Sequence, residues 1–277
     1  MTGILVVPAH HRVFASAAGN HEVVAIDDQT LKVVGRAGDI RFPDGIAYAP
    51  VEQKVFVSDE SGDADVVIDA RTNKKRSTIE LGGEAGNTHY DSVSHCILIA
   101  VQTRNQLVAI DPATEKIVER YDLRGSDHPH GFTIDERGRL AFISNEGNGK
   151  LLVVDLRAMQ VMATYTVGDD PDVLAWDPTW RRLYVAPEGG VLSSFSPTVR
   201  SSTPSGKSGP HMRIRYPWIP ARIAFISHPR TSTDIPCFGF RRHELRYAPR
   251  ARRLVASTQW SLCRRWFIVS DRERSRA

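Results

Sequence analysis

Cysteine is scarce in this chain. Only Cys96, Cys237 and Cys263 occur among 277 residues, with no CxxC pair. That excludes a disulfide-built scaffold and gives no support to a zinc knuckle. Long apolar runs are also lacking. No segment approaches the 18 residues a membrane helix needs. The first 20 residues carry His10, His11 and Arg12 in place of the basic start and apolar stretch of a secretory signal. The chain as written is therefore expected to remain cytoplasmic. No G-x-S-x-G elbow and no H-E-x-x-H is present, so two common hydrolase signatures are missing. Sustained 3.6-residue periodicity is absent, which argues against a helical architecture.

Charge is abundant but unevenly placed. The formal net charge is +4 with a pI near 9.0, and that average hides two segments. Residues 193–277 contain 17 Lys and Arg against 4 Asp and Glu, a net of +13. Residues 1–192 contain 19 against 28, a net of −9.

The first 192 residues form a repeat array. Asp27, Asp69, Asp111 and Asp155 each end an apolar run (VVAID, DVVID, LVAID, LLVVD), at spacings of 42, 42 and 44. A second column holds Pro43-Asp44-Gly45, Pro129-His130-Gly131 and Pro171-Asp172-Val173. A third holds Lys54–Val57, Cys96–Ile99, Arg139–Ile143 and Arg182–Val185. A fourth holds Glu60, Gln102, Glu146 and Glu188, spaced 42, 44 and 42. Within each unit, short runs of Val, Ile, Phe and Tyr are bounded by Gly, Asp, Asn and Pro, the chemistry of strands and turns. A period near 42 with four strands per unit predicts an all-β fold built as a β-propeller. The expected blades are 3–42, 43–84, 85–127 and 128–170, with a half-blade at 171–192.

The segments DVVIDARTNK, LVAIDPATEKIV and LYVAPEGG resemble the YVTN-repeat (YncE-like) β-propeller family, over residues 3–192. That resemblance implies a seven-bladed ring, often exported, in a family whose members mostly lack an assigned activity. Some distant propeller relatives are lactone hydrolases. Against that pattern Thr2 falls in the column of Asp44, so the chain opens at the lip of a blade and is expected to be truncated at its N-terminus. An open ring leaves strand edges unpaired, which predicts edge-to-edge self-association.

After Leu192 the repeat stops in mid-blade and Ser, Pro and Arg take over. A basic nucleic-acid-binding tail, a small extra domain and a shifted reading frame compete as explanations. Read from the third base of each codon, Tyr216–Gly239 permits D-P-x-x-H-R-V-Y-F-P-x-E. This matches the in-frame Asp177–Glu188, DPTWRRLYVAPE. The frameshift reading makes 193–277 an out-of-frame, disordered basic segment with no specific nucleic-acid partner.

Candidate chemistry lies where a propeller turns its innermost strands toward the central channel. That column is Thr2, Asp44, Gly86 with Asn87, His130 and Asp172. The column Ala18, Glu60, Gln102, Glu146 and Glu188 lies at the exit of the following strand, at the same end by antiparallel geometry. The ligand-binding candidates at the channel mouth are thus Asp44, Asn87, His130, Asp172, Glu60, Glu146 and Glu188. Carboxylates, amides and an imidazole around an axis suit a divalent cation. Such an ion could polarise a lactone carbonyl or activate water, with Glu or His as base. The competing explanation is turn chemistry: Asp after Pro and Glu before Gly suit tight turns, and equal spacing shows only equal position in the blade.

Two functional readings follow. One is a non-catalytic binding or scaffolding propeller that needs no cofactor and takes a protein or small-molecule ligand. The alternative is a metal-dependent lactone hydrolase using the axial carboxylates. Calcium or zinc raising the melting temperature would favour the enzyme, and metal-indifferent capture of a partner the scaffold.

Overall fold

The computed structural model describes residues 2–190, 192–195, 197–198 and 213–214. All lie in the unit Met1–Phe225. Most of the segment read as out of frame, 193–277, lies outside the described residues.

Alternating strand and turn chemistry produces antiparallel sheets in strict chain order. Blade 1 is β1 (Ile4–Val7), β2 (Arg12–Ala17), β3 (Glu22–Asp27) and β4 (Val33–Ala37). Blade 2 is β5 (Pro43–Ala49), β6 (Lys54–Asp59), β7 (Ala64–Asp69) and β8 (Lys74–Glu80). Blade 3 is β9 (Ala85–Asp91), β10 (Cys96–Val101), β11 (Gln106–Asp111) and β12 (Lys116–Asp122). Blade 4 is β13 (Pro129–Asp135), β14 (Leu140–Asn145), β15 (Lys150–Asp155) and β16 (Gln160–Thr166). A fifth sheet pairs β17 (Pro171–Asp177), β18 (Arg182–Pro187) and β19 (Ser193–Phe195), so its third strand lies beyond the point where the repeat pattern stops. No α-helix occurs among the described residues, and no helix is long and apolar enough to cross a membrane.

The aspartate column is built into turns. Asp27 accepts from the backbone N–H groups of Gln29 and Thr30. Asp69 does the same for Arg71 and Thr72, and Asp111 for Ala113. These carboxylates replace turn carbonyls as acceptors, so the spacing that identified the repeat is a spacing of Asx turns. The first turn of each blade places a residue at positive φ: His11, Gln53, His95, Arg139 and Arg181, between 48° and 58°.

The core lies between blades. Val7, Phe14 and Val23 of blade 1 pack against Val55, Val57 and Ile68 of blade 2. Phe56 and Val67 meet Ile97, Ile99 and Val108 at the next junction. Leu98 and Leu107 meet Phe132, Ile143 and Leu152, and Phe142, Leu151 and Val153 meet Leu183, Val185 and Phe195. The sheets of blades 2, 3 and 4 are therefore apolar on both faces, as a sheet packed on two sides must be. The innermost strands β1, β5, β9, β13 and β17 touch in sequence. Their N-terminal ends gather at one mouth.

Candidate functional site

The geometry of the mouth begins with a break in strand pairing. Between the first two strands of blade 2, Ile46 pairs with Val57 but Pro43 pairs with Asp59, so Asp44 and Gly45 together oppose Ser58. The same slip sets Gly86 and Asn87 against Ala100, and His130 and Gly131 against Ser144. In blade 5 it falls at Asp172. Such bulges leave a residue outside the ladder and re-aim its side chain. The opposing serines satisfy the carbonyls that the slip releases. Ser144 Oγ donates to the Gly131 carbonyl at 2.9 Å, and Ser58 Oγ to the Gly45 carbonyl at 3.3 Å.

The bulge also needs glycine, because neighbouring inner strands approach closely. A Cβ on Gly131 would stand 1.7 Å from the Asp172 carbonyl oxygen, and one on Gly3 2.2 Å from that of Asp44. In blades 2 and 4 the first bulge residue faces the mouth and the second packs against the next blade, whereas in blade 3 the first, Gly86, lies against the His130 backbone and the second, Asn87, turns back toward blade 2.

His130 is the centre of the site. It is 8% exposed. Its Nδ1 lies 2.9 Å from Asp172 Oδ1, as a hydrogen bond, and 2.8 Å from Glu146 Oε1. Its Nε2 lies 3.2 Å from Asp44 Oδ2, within ion-pair range. That pair is misaligned for a hydrogen bond, and Nε2 has no hydrogen-bond partner. Carboxylates from blades 2, 4 and 5 thus converge on one imidazole. Burial disfavours its charged form, but Asp172, Asp44 and Glu146 outweigh burial and push the His130 pKa up to about 12.

Glu60 stands beside Asp44 and His130, and their potential ligand atoms lie within 4.8 Å of one another. Gln102 Nε2 donates to Glu60 Oε1 at 3.3 Å and to the Ala85 carbonyl at 3.1 Å. Burial raises the Glu60 pKa, partly offset by His130 and by the Gln102 bond. Both Glu60 and Glu146 open short 3-10 turns, Glu60–Gly62 and Glu146–Asn148, at the exits of β6 and β14.

Five of the seven residues singled out from the sequence meet here: Asp44, Glu60, His130, Glu146 and Asp172. Asn87 turns toward blade 2, where its Oδ1 lies against Gly45. Glu188 is exposed and outside the cluster. The residues that hold the mouth strands in place lie outside those seven. Asp59 accepts from the backbone N–H groups of Arg41 and Phe42 at 2.9 and 2.7 Å, and Asn145 Oδ1 accepts from that of Asp127 at 3.2 Å. Their signal was present in the matching runs Ser58-Asp59-Glu60 and Ser144-Asn145-Glu146.

No protein-family model matches the chain. Two curated relatives, both called uncharacterized protein YncE, come from Salmonella typhi and Salmonella typhimurium strain LT2. Each is 26% identical over 180 residues, covering 60% of this chain and 51% of the relative. The chain therefore spans about half the length of the curated relatives it matches. Among solved structures, Kuenenia stuttgartiensis hydrazine synthase aligns with a TM-score of 0.60 at 18% identity, covering 72% of this chain and 62% of that one. The Cps50 (Swd1) β-propeller domain of Myceliophteria thermophila aligns with a TM-score of 0.61 at 13% identity, covering 77% and 69%. At those identities the likeness shows the fold alone. With the blade repeat and the bulged inner strands together, the chain is a β-propeller that is similar in sequence to the two YncE relatives.

Proposed function

We propose that this protein is a non-catalytic binding propeller whose ligand presents positive charge to the mouth around His130. The observation that carries this reading is the convergence of Asp44, Glu146 and Asp172 on one buried imidazole. Three carboxylates against one imidazolium leave the mouth negative, and low-dielectric walls strengthen such a field. The hydrolase alternative needs a free base near neutral pH. His130, held protonated with both ring nitrogens facing carboxylates, is poorly suited to that task.

The test is calorimetric titration of the full chain with spermidine and with a short arginine peptide, alongside lactone turnover with and without zinc or calcium. Saturable binding that weakens about tenfold or more in Asp44→Asn and Asp172→Asn, a change of about 1.4 kcal/mol, with no turnover above background, supports the reading. Lactone hydrolysis that disappears in Glu146→Gln would replace it with the enzyme reading.

A further inference from the structure

We infer that the cation received at this mouth is a divalent transition-metal ion, held by His130 Nε2, Asp44 and Glu60 and oriented through Asp172 and Glu146. The inference rests on the binding reading above and names its ligand.

Nε2 is the atom that asks for it. It is buried and faces Asp44 without an aligned hydrogen bond, in a side chain only 10% exposed. An ion at Nε2 takes the place of the proton that faces Asp44, so binding releases that proton and weakens as pH falls. The surrounding atoms suit coordination better than hydrogen bonding. Ligand atoms on an ion with bonds of about 2.1 Å stand about 3.0 Å apart at right angles and about 3.4 Å apart at the tetrahedral angle. Nε2 and Asp44 Oδ2 are 3.2 Å apart and misaligned for a hydrogen bond. Glu60 offers the third atom within 4.8 Å of both.

The far side of the ring has the form of an outer shell. A metal-bound histidine commonly donates its other ring N–H to a carboxylate, which fixes the tautomer and leaves the opposite nitrogen as the ligand. His130 Nδ1 does this toward Asp172 at 2.9 Å, with Glu146 at 2.8 Å. Gln102 plays the matching part for Glu60. The ligand set draws Asp44 and Glu60 from blade 2 and His130 from blade 4, so an ion here would tie together blades that are not neighbours. One imidazole with two carboxylates suits zinc, manganese, iron, cobalt or nickel better than calcium or magnesium, which take oxygen alone.

The experiment titrates the chelator-stripped full chain with zinc against a chelating dye, and with cobalt followed by visible absorption. Wild type, Glu60→Gln, Asp44→Asn, Glu146→Gln and His130→Ala are compared, with circular dichroism to check folding. The expected result is one equivalent of tight zinc in wild type. Removing an outer-shell partner typically costs about 10–100-fold in metal affinity. Glu60→Gln and Asp44→Asn are expected to lose at least as much, and Glu146→Gln less, because Asp172 still holds Nδ1. Equal binding in wild type, Glu60→Gln and Asp44→Asn overturns the inference. So does a greater loss in Glu146→Gln than in Glu60→Gln, which would put the ion on the Nδ1 side. His130→Ala leaves its carboxylates uncompensated and so tests folding as well as binding, and Glu60→Gln decides the matter without it. Binding of spermidine or the arginine peptide with no metal binding sinks this inference alone. Binding of neither sinks the parent reading as well.

Discussion

Arg139 grips Asp91 across the junction between blades 3 and 4, with Nη1 2.5 Å from Oδ1 and Nη2 2.7 Å from Oδ2. Arg139 sits at positive φ in the first turn of blade 4, and Asp91 ends the inner strand of blade 3. One period later Arg181 lies 3.8 Å from Asp135, the same pair in looser form. Burial works against ionised Asp91. The bonds from Arg139, Ser94 and the Val93 N–H outweigh it and hold its pKa at about 2.

Because the folded pKa of Asp91 lies below its unfolded value, its contribution to stability is complete above about pH 4. It is lost as pH falls from there toward 2. Arg139→Met leaves Asp91 buried and unpaired, and is expected to cost about 3–5 kcal/mol in urea unfolding at pH 7. The deficit relative to wild type should shrink as pH falls toward 2. A constant deficit over that range would refute the role given to the pair.

Asp65 carries the opposite expectation. It is fully buried, and neither carboxyl oxygen has a hydrogen-bond partner in good geometry. Burial pushes its pKa up to about 8. Its folded pKa lies above its unfolded value, so stability should fall as pH rises from about 4 and flatten above 8. The equivalent positions in the other blades are Val23, Leu107 and Leu151. Asp65→Leu is expected to raise the melting temperature at pH 9 more than at pH 5. An equal rise at both would show that the carboxyl does not titrate there.

The glycine of the bulge predicts a contrast between two alanine variants. Gly131→Ala places Cβ against the Asp172 carbonyl, where only backbone movement can relieve the clash. Overpacking of this kind costs about 1–3 kcal/mol or more. Gly19→Ala meets nothing within 4 Å and should stay within about 0.5 kcal/mol of wild type. Comparable melting temperatures for the two variants would remove the close-approach argument.

Two apolar faces are exposed. Ile4 and Val33 on the face of blade 1 turned away from blade 2 are 52% and 48% exposed, and Val173 on the far face of blade 5 is 58% exposed. Sedimentation velocity is expected to show concentration-dependent association of the full chain, reduced in the Ile4→Lys, Val173→Lys double variant. A wild-type monomer at all concentrations would exclude it.

The blades could be read from the sequence because each repeats a local rule. The Asx turns at Asp27, Asp69 and Asp111 are set by residues two or three positions away, so spacing alone reveals them. Asp44, His130 and Asp172 also show as a column. What spacing hides is the choice among members of a column. Asn87 and Glu188 share columns with site residues yet remain outside the cluster, because the outcome depends on which side chain in a neighbouring blade reaches across. The Arg139–Asp91 pair spans 48 residues, and Asp65 resembles any polar strand residue until the facing blade covers it.

The bulges of the inner strands in blades 2 to 5 have a consequence for what the fold can become. One bulge residue touches the next blade and is constrained, as Gly45 and Gly131 show. The other projects to the mouth in blades 2, 4 and 5, where this one chain carries Asp44, His130 and Asp172. In those three blades the mouth is in effect an editable rim. Its chemistry can be rewritten by single substitutions while the packing between blades stays intact.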